Sequence, residues 1–196
     1  GAFRFIRRLW NLVTTHVEQG PTAELDVAAL NDSQKEMRRL LHDAIAKVSD
    51  DVSRRYTFNT AIAAIMELSN HLARFEDASD QGRAVQQEAW LAVVRMLNPI
   101  IPHACERLWA ALGETTPLFS ASWPVVDESA RKKLQVELVI QVNGKVRGRL
   151  EAAPGISKES ALEQALQIDN VQRHLDGLSV RKVILVPDRL LNIVVG

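Results

Sequence analysis

Cysteine is nearly missing from this chain: Cys105 is the single one in 196 residues. No intrachain disulfide and no cysteine-based zinc site is therefore possible, and a reducing compartment is the natural reading. An excess of one charge is lacking too. Lys+Arg and Asp+Glu stand at 24 each, which excludes a strongly basic nucleic-acid binder on totals alone; an anion-binding surface must come from local placement. No apolar run approaches the roughly 20 residues of a membrane helix. The opening residues are not expected to be a signal peptide, because Arg4, Arg7 and Arg8 interleave with Phe3, Ile6 and Leu9 in helical rhythm. Gly1 already sits inside that rhythm, so the expectation is a chain cut from a longer protein.

Signatures of independent catalysis are also absent. Gly144-Lys145 lacks the upstream glycine and following hydroxyl of G-x-x-x-x-G-K-S/T, and there is no G-x-G-x-x-G, H-E-x-x-H or G-x-S-x-G. The histidines (His16, His42, His71, His103, His174) show no metal-binding spacing. His103 and Glu106 lie three apart, but the proline before them and Leu108-Trp109 after them favour capping or packing. No catalytic, metal-binding or cofactor-binding residue is expected.

What is present changes character near residue 125. Before it, apolar residues recur at three-and-four spacing; after it they alternate. A first helix over 1–16 places Phe3, Ile6, Trp10 and Val13 on one stripe and Arg4, Arg7, Arg8 and Asn11 on another. Ser33 and Glu36 have capping-box spacing, which outweighs reading Asn31-Asp32-Ser33 as a glycosylation sequon. The helix they start runs to about Arg55, with Met37, Leu40, Leu41, Ala44, Ile45, Val48 and Val52 inward. A third helix carries Ala61, Ile62, Ile65, Leu68, Leu72 and Phe75; a fourth spans Asp80 to Leu97; a fifth starts at Pro102 and ends at Gly113. Together they predict an antiparallel bundle. Trp10, Trp90 and Trp109 have apolar neighbours and are expected in its core, with Trp123 a plug between connector and bundle.

The expected architecture is α+β: a helical bundle over 1–125, a linker over 126–134 containing the charged stretch Arg131 to Lys133, and a small ββαββ domain over 135–196. Two strands flank Asn143-Gly144, a helix follows from Ser157, and strands cover Val180 to Val186 and Leu190 to Val195. A two-residue hairpin loop would put Lys145, Arg147 and Arg149 on the same face as Val136, Leu138 and Ile140, burying charge. A three-residue loop, Val142-Asn143-Gly144, avoids this by setting Ile140 opposite Val146, Leu138 opposite Gly148 and Val136 opposite Leu150. It predicts Lys145, Arg147 and Arg149 together on the outer face, about 6.5 to 7 Å apart, close to a phosphate repeat.

The stretches Gln141-Val-Asn-Gly-Lys-Val-Arg-Gly-Arg-Leu150 and Val180-Arg-Lys-Val-Ile-Leu-Val-Pro-Asp-Arg-Leu-Leu-Asn-Ile-Val-Val195 resemble the end of bacterial leucyl-tRNA synthetases. Arg4-Phe-Ile-Arg-Arg-Leu-Trp10, Phe58-Asn-Thr-Ala-Ile62 and Leu97-Asn-Pro-Ile-Ile-Pro-His103 are similar to the anticodon-binding bundle of class I synthetases generally. The resemblance covers essentially the whole chain. It implies a partner, tRNA(Leu), and missing catalytic and editing domains of the same polypeptide, since H-I-G-H and K-M-S-K-S occur nowhere here. The parent enzyme would use ATP and Mg; this fragment alone would be inactive, and a monomeric, cytoplasmic protein is implied. "Anticodon-binding" names a fold and not necessarily a readout, since leucyl enzymes resemble one another in relying little on the anticodon.

The implied tRNA-binding residues are Lys145, Arg147, Arg149, Arg181, Lys182 and Arg189 in the small domain, placed by analogy at the tRNA elbow, and Arg4, Arg7, Arg8, Arg54 and Arg55 in the bundle. Each has a bland reading beside it: a solvated sheet face protecting an edge, or cations complementing a helix C-terminus at Arg54 and Arg55. Two other functions stay open, an equivalent appendage of an isoleucyl or valyl enzyme and a non-catalytic protein-interaction domain.

Overall fold

The computed structural model describes residues 1–132 and 136–196, and the chain divides into two compact units, Gly1–Lys132 and Lys133–Gly196. Each has its own apolar cluster, so the α+β organisation expected from the change of pattern is what the chain adopts.

The first unit packs α1 (Ala2–Glu18), α2 (Asp32–Ser53), α3 (Phe58–Leu72), α4 (Asp80–Leu97) and α5 (Pro102–Ala111). Helix α4 touches the other four, and it is apolar around much of its circumference: Val85, Ala89, Trp90, Val93, Val94, Met96 and Leu97 are all buried. Each large side chain removed from water there contributes about 1.5–3 kcal/mol. On α2 the inward stripe is Met37, Leu41, Ile45 and Val48, as the spacing predicts. Pro102 occupies the first turn of α5, where its missing N–H is harmless.

Two details differ from the sequence expectation. Helix α2 is capped by Asn31 and Gln34 instead of Ser33 and Glu36: the Asn31 side chain accepts from Gln34 N at 2.9 Å, and Gln34 Oε1 accepts from Asn31 N at 2.9 Å. This choice lets the buried Gln34 amide also donate to Asp77 and Ser79 ahead of α4, while Glu36 pairs with Arg39. Helix α1 turns Leu9, Val13 and His16 inward, leaving Phe3 and Trp10 exposed; of the three tryptophans expected in the core, only Trp90 and Trp109 are there. The rotation is fixed by polar anchors, His16 Nε2 to Gln87 Oε1 at 2.9 Å and Arg8 to Asn70 of α3. The long α1–α2 connection is stapled by α4, where Arg83 donates to the Gly20 and Pro21 carbonyls and Gln81 bonds Asp26 N and Glu24 O.

Trp123 packs against the bundle and donates to Ser49 Oγ at 2.8 Å, the plug its sequence context suggests. Of the linker expected over 126–134, residues 126–132 are bonded onto the bundle: Arg38 holds Asp127 at 3.0 Å and Asp43 holds Arg131 at 2.8 Å. Lys133 and Leu134, and Gln135 at the expected start of the small domain, lie outside the described residues.

In the second unit β1 (Val136–Val142), β2 (Lys145–Ala152), β3 (Val180–Val186) and β4 (Leu190–Val195) form one sheet in the order β2-β1-β4-β3. The two hairpins are antiparallel, and their central strands, β1 and β4, run parallel. One face is covered by α6 (Lys158–Ala165) and α7 (Asp169–Leu175), so the single expected helix is two. The break has a cause: Ile168 adopts an extended backbone that lays its side chain against Gly148, and Gln172 Nε2 satisfies the freed Leu166 carbonyl at 2.6 Å. Ala161, Ala165 and Val171 then close over Leu138, Ile140, Leu191 and Ile193.

Candidate nucleic-acid interface

The β1–β2 hairpin corrects the expected register. Val142 pairs with Lys145 across a two-residue turn in which Asn143 (φ 49°) and Gly144 (φ 79°) both take positive φ, the type I′ preference of Asn-Gly. A bulge in β2, not a longer loop, takes Arg149 off the covered face. Gln141 pairs with Val146 and Ile140 with Gly148, leaving Arg147 as the extra residue. Beyond the bulge, Leu138 faces Leu150 and Val136 faces Ala152. Val146, expected inward, is 56% exposed.

The bulge redistributes the cations. Lys145 falls in a cross-sheet row with Val142, Ile193 and Val183 on the helix-covered side, at the exposed rim of that row. Arg149 lies in the row of Val139, Leu190 and Val186 on the open face, paired with Glu137 at 3.0 Å. Arg147 is half-buried: Asn170 of α7 donates to its carbonyl at 2.7 Å, and its Nε is buried without a hydrogen-bond partner. The three therefore do not form an evenly spaced comb on one face.

Hairpin and sheet are locked together by Asn143. Its Nδ2 donates to Val195 O at 3.2 Å and its Oδ1 accepts from Val195 N at 2.9 Å, while Gly144 N donates to Asn192 Oδ1 at 3.1 Å. Gly148 lets α7 approach, because an added Cβ would sit 3.2 Å from Ile168 and 3.4 Å from Val171. The turn residues and the glycine thus fix where Lys145 and Arg147 project.

Strand register places Arg181 and Lys182 at the same end of the sheet as Lys145, but on the opposite edge, three strand spacings or about 14 Å away. Arg181 is the unpaired residue of an irregularity in β3, with Val180 opposite Val195 and Lys182 opposite Val194. Arg189 follows Asp188 in the β3–β4 turn, at the other end of the sheet. Four of the six cations therefore share one end, Arg149 lies on the open face, and Arg189 stands apart. Arg173, which was not among the expected cations, is exposed one turn after Asn170 on α7.

In the first unit Arg4 and Arg7 are exposed, and Arg8 is tied to Asn70. Arg54 pairs with Asp50 at 3.0 Å and Arg55 with Asp51 at 3.6 Å, both with largely exposed side chains, where such pairs hold weakly. The strongest electrostatics lie elsewhere. Buried Arg38 donates from Nε and Nη2 to Glu88 and from Nη1 to Asp127, while His42 Nδ1 accepts from Asp127 N at 3.1 Å. Burial pushes the Glu88 carboxyl up, but His42 and Arg38 outweigh it and hold it below the usual range. The Ser129 hydroxyl, opposed by desolvation and aided by Arg38, holds Asp127 lower still. This network joins α2, α4 and the connector and reads as structural. Among the described residues no group of three His, Cys, Asp or Glu is placed to hold a metal ion, and burial pushes the Cys105 thiol up to about 12.

Comparison with known proteins agrees with a tRNA-ligase module. The family described as the anticodon-binding domain of tRNA ligase matches residues 34–162, and the chain belongs to that family. Within it, the chain is similar to leucine–tRNA ligases: that of Chromohalobacter salexigens is 55% identical over 194 residues, covering 99% of this chain and 23% of that protein. That of Erwinia tasmaniensis is 54% identical over 196 residues, covering 100% of this chain and 23% of that protein. Among solved structures, the LeuRS of Agrobacterium radiobacter K84, in a ternary complex with tRNA and LeuAMS, superposes with a TM-score of 0.78 at 28% identity, over 98% of this chain and 25% of that one. The chain thus spans about a quarter of the length of the relatives it matches.

Proposed function

We propose that this chain is the tRNA-gripping portion of a leucyl-tRNA synthetase, serving a parent ligase that attaches leucine to tRNA(Leu) in an ATP-dependent reaction. The observation that carries the reading is identity above 50% to leucine–tRNA ligases along essentially the entire chain, both units included. The solved relative was captured with tRNA, which supports RNA as the partner. Activation and editing belong to other parts of the parent polypeptide, and this portion acts as a monomer in the cytoplasm. Its RNA contacts are cations meeting phosphates: Lys145, Arg147, Arg181 and Lys182 around one end of the sheet, Arg149 and Arg189 peripherally, and Arg4, Arg7, Arg8, Arg54 and Arg55 along the bundle.

Titration of the purified chain with a leucine tRNA transcript at two salt concentrations tests this. Binding is expected to weaken steeply with salt. Replacing Lys145 and Lys182 by alanine should lower the log–log salt slope by roughly 0.7–0.9 for each phosphate no longer neutralised, whereas Arg149→Ala, already occupied by Glu137, should change it least. Absence of binding at low salt would overturn the assignment.

A further inference from the structure

Helix α2 stops in an unusual way. Arg54 and Arg55 N–H groups both reach Asp50 O, at 3.0 and 3.1 Å, and Thr57 N reaches Asp51 O at 2.9 Å. That wrapped closure requires a left-handed residue within the turn, a position glycine ordinarily fills. Here it is Tyr56, at φ 54°. A bulky side chain in this conformation is strained; the closing bonds need the left-handed backbone but not the tyrosine ring, which is 72% exposed and makes no hydrogen bond or ring contact among the described residues.

Its exposed neighbours are a second aromatic ring and two cations. Phe58 is 50% exposed, and the side chains of Arg54 and Arg55 are 80% and 62% exposed. Their carboxylate partners can spare them. Buried Asp51 also holds Lys47 at 3.0 Å, and the Arg54–Asp50 pair is a solvated i,i+4 contact of the weak kind. The loop therefore presents two aromatic rings flanked by two exposed cations: Arg54 can exchange its solvated carboxylate for a phosphate, and Arg55 can leave the buried Asp51 to Lys47. A protein partner docking through apolar contact would want a continuous greasy face, which the arginines interrupt. Single-stranded RNA wants this mixture, because every base offers a π-face to an aromatic ring while cations track the backbone.

Resting on the tRNA-binding reading above, we infer that this loop is a base-stacking contact: Tyr56 offers its ring to an unpaired nucleobase, with Arg54 and Arg55 on the adjoining phosphates. The strained conformation turns the ring outward at the tip of the α2–α3 hairpin, and an unstrained glycine would have nothing to offer there.

Tyr56 is the only tyrosine, so incorporating ring-fluorinated tyrosine gives a single fluorine resonance. On titration with a leucine tRNA transcript it should shift along the binding curve, and it should stay in place with a blunt RNA duplex. Tyr56→Gly should raise the denaturation midpoint, since it relieves the strain, while weakening tRNA binding about tenfold; Tyr56→Phe should bind within about twofold of the wild type, because stacking needs only the ring. A resonance unmoved by bound tRNA, or a Tyr56→Gly chain that binds as tightly as the wild type, overturns the stacking contact and leaves the tRNA reading standing. Failure of every form to bind at low salt overturns both.

Discussion

Replacing Asn143 by alanine should selectively loosen the second unit, and the size of the effect can be worked from the hairpin. The side-chain amide makes two hydrogen bonds to the Val195 backbone, at 2.9 and 3.2 Å, extending the β1–β4 pairing by one step. Each is worth about 0.5–1.5 kcal/mol. Asn143 also sits at φ 49°, where a β-carbon without a locally bonding amide costs about 1 kcal/mol more. The sum is about 3 kcal/mol, a large share of what a unit of this size can hold, since domains store only about 0.05–0.15 kcal/mol per residue. Asn143→Gly separates the parts: it keeps the backbone conformation and loses only the bonds, so it should cost about 1 kcal/mol less than alanine. Urea denaturation can watch the units apart, because all four tryptophans lie in Gly1–Lys132 and amide exchange in β4 reports the sheet. The expected result is weakened protection of Ile193 and Val195 with an unchanged tryptophan transition. Alanine and glycine variants of equal stability, or a loss below about 0.5 kcal/mol, would refute the reasoning.

Two further outcomes follow from the packing and the charges. Gly148→Val should cost about 2 kcal/mol by overpacking against Ile168 and Val171, with Ile168→Ala restoring part of it in a double-mutant cycle read by the same exchange experiment. The first unit should lose stability in acid: Glu88 and Asp127 have folded-state values depressed below the ordinary ones. Their contribution is therefore present above the unfolded value near pH ~4 and lost as pH falls through the folded values. The tryptophan-monitored midpoint should fall steeply there in the wild type and less steeply in Asp127→Asn; parallel curves would remove Asp127 from the account.

Long-period features were legible in the sequence, and features set by competition between near-equal options were not. The inward stripe of α2 and the span Asp80–Leu97 of α4 could be read because many residues repeat the same signal. The α2 cap could not, because Asn31–Gln34 and Ser33–Glu36 offer the same reciprocal bonds two residues apart. What decides is tertiary: Gln34 reaches Asp77 and Ser79 across the bundle. Helix α1 is ambiguous for a similar reason. It carries apolar residues on more than one side, and its rotation is chosen by His16–Gln87 and Arg8–Asn70, contacts with partners more than sixty positions away. Tyr56 gave no sequence signal at all, since its meaning lies in a backbone angle.

The hairpin shows how a sound physical objection can have the wrong remedy. Burying Lys145, Arg147 and Arg149 beside Leu138 and Ile140 is opposed by the cost of desolvating charge; the sheet escapes it fully at Arg149, on the open face, keeps Lys145 at an exposed rim and leaves Arg147 half-buried. Lengthening the loop and inserting a bulge both restore the alternation, but they differ in what they do to the cations. A longer loop would have kept all three on one face. The bulge instead keeps Asn-Gly in its favoured two-residue turn, frees the Asn143 amide to bond Val195, and brings Gly148 under Ile168 and Val171. Those interactions can form together only when Arg147 is the extra residue. The bulge is therefore coupled to the packing of α7 as well as to the turn, and that coupling is what separates Arg147 from Arg149. An anionic strand running along β2 meets an uneven set of cations, so a backbone gripping this unit is better matched by the end of the sheet, where Lys145 and Lys182 stand on opposite edges, than by the length of one strand.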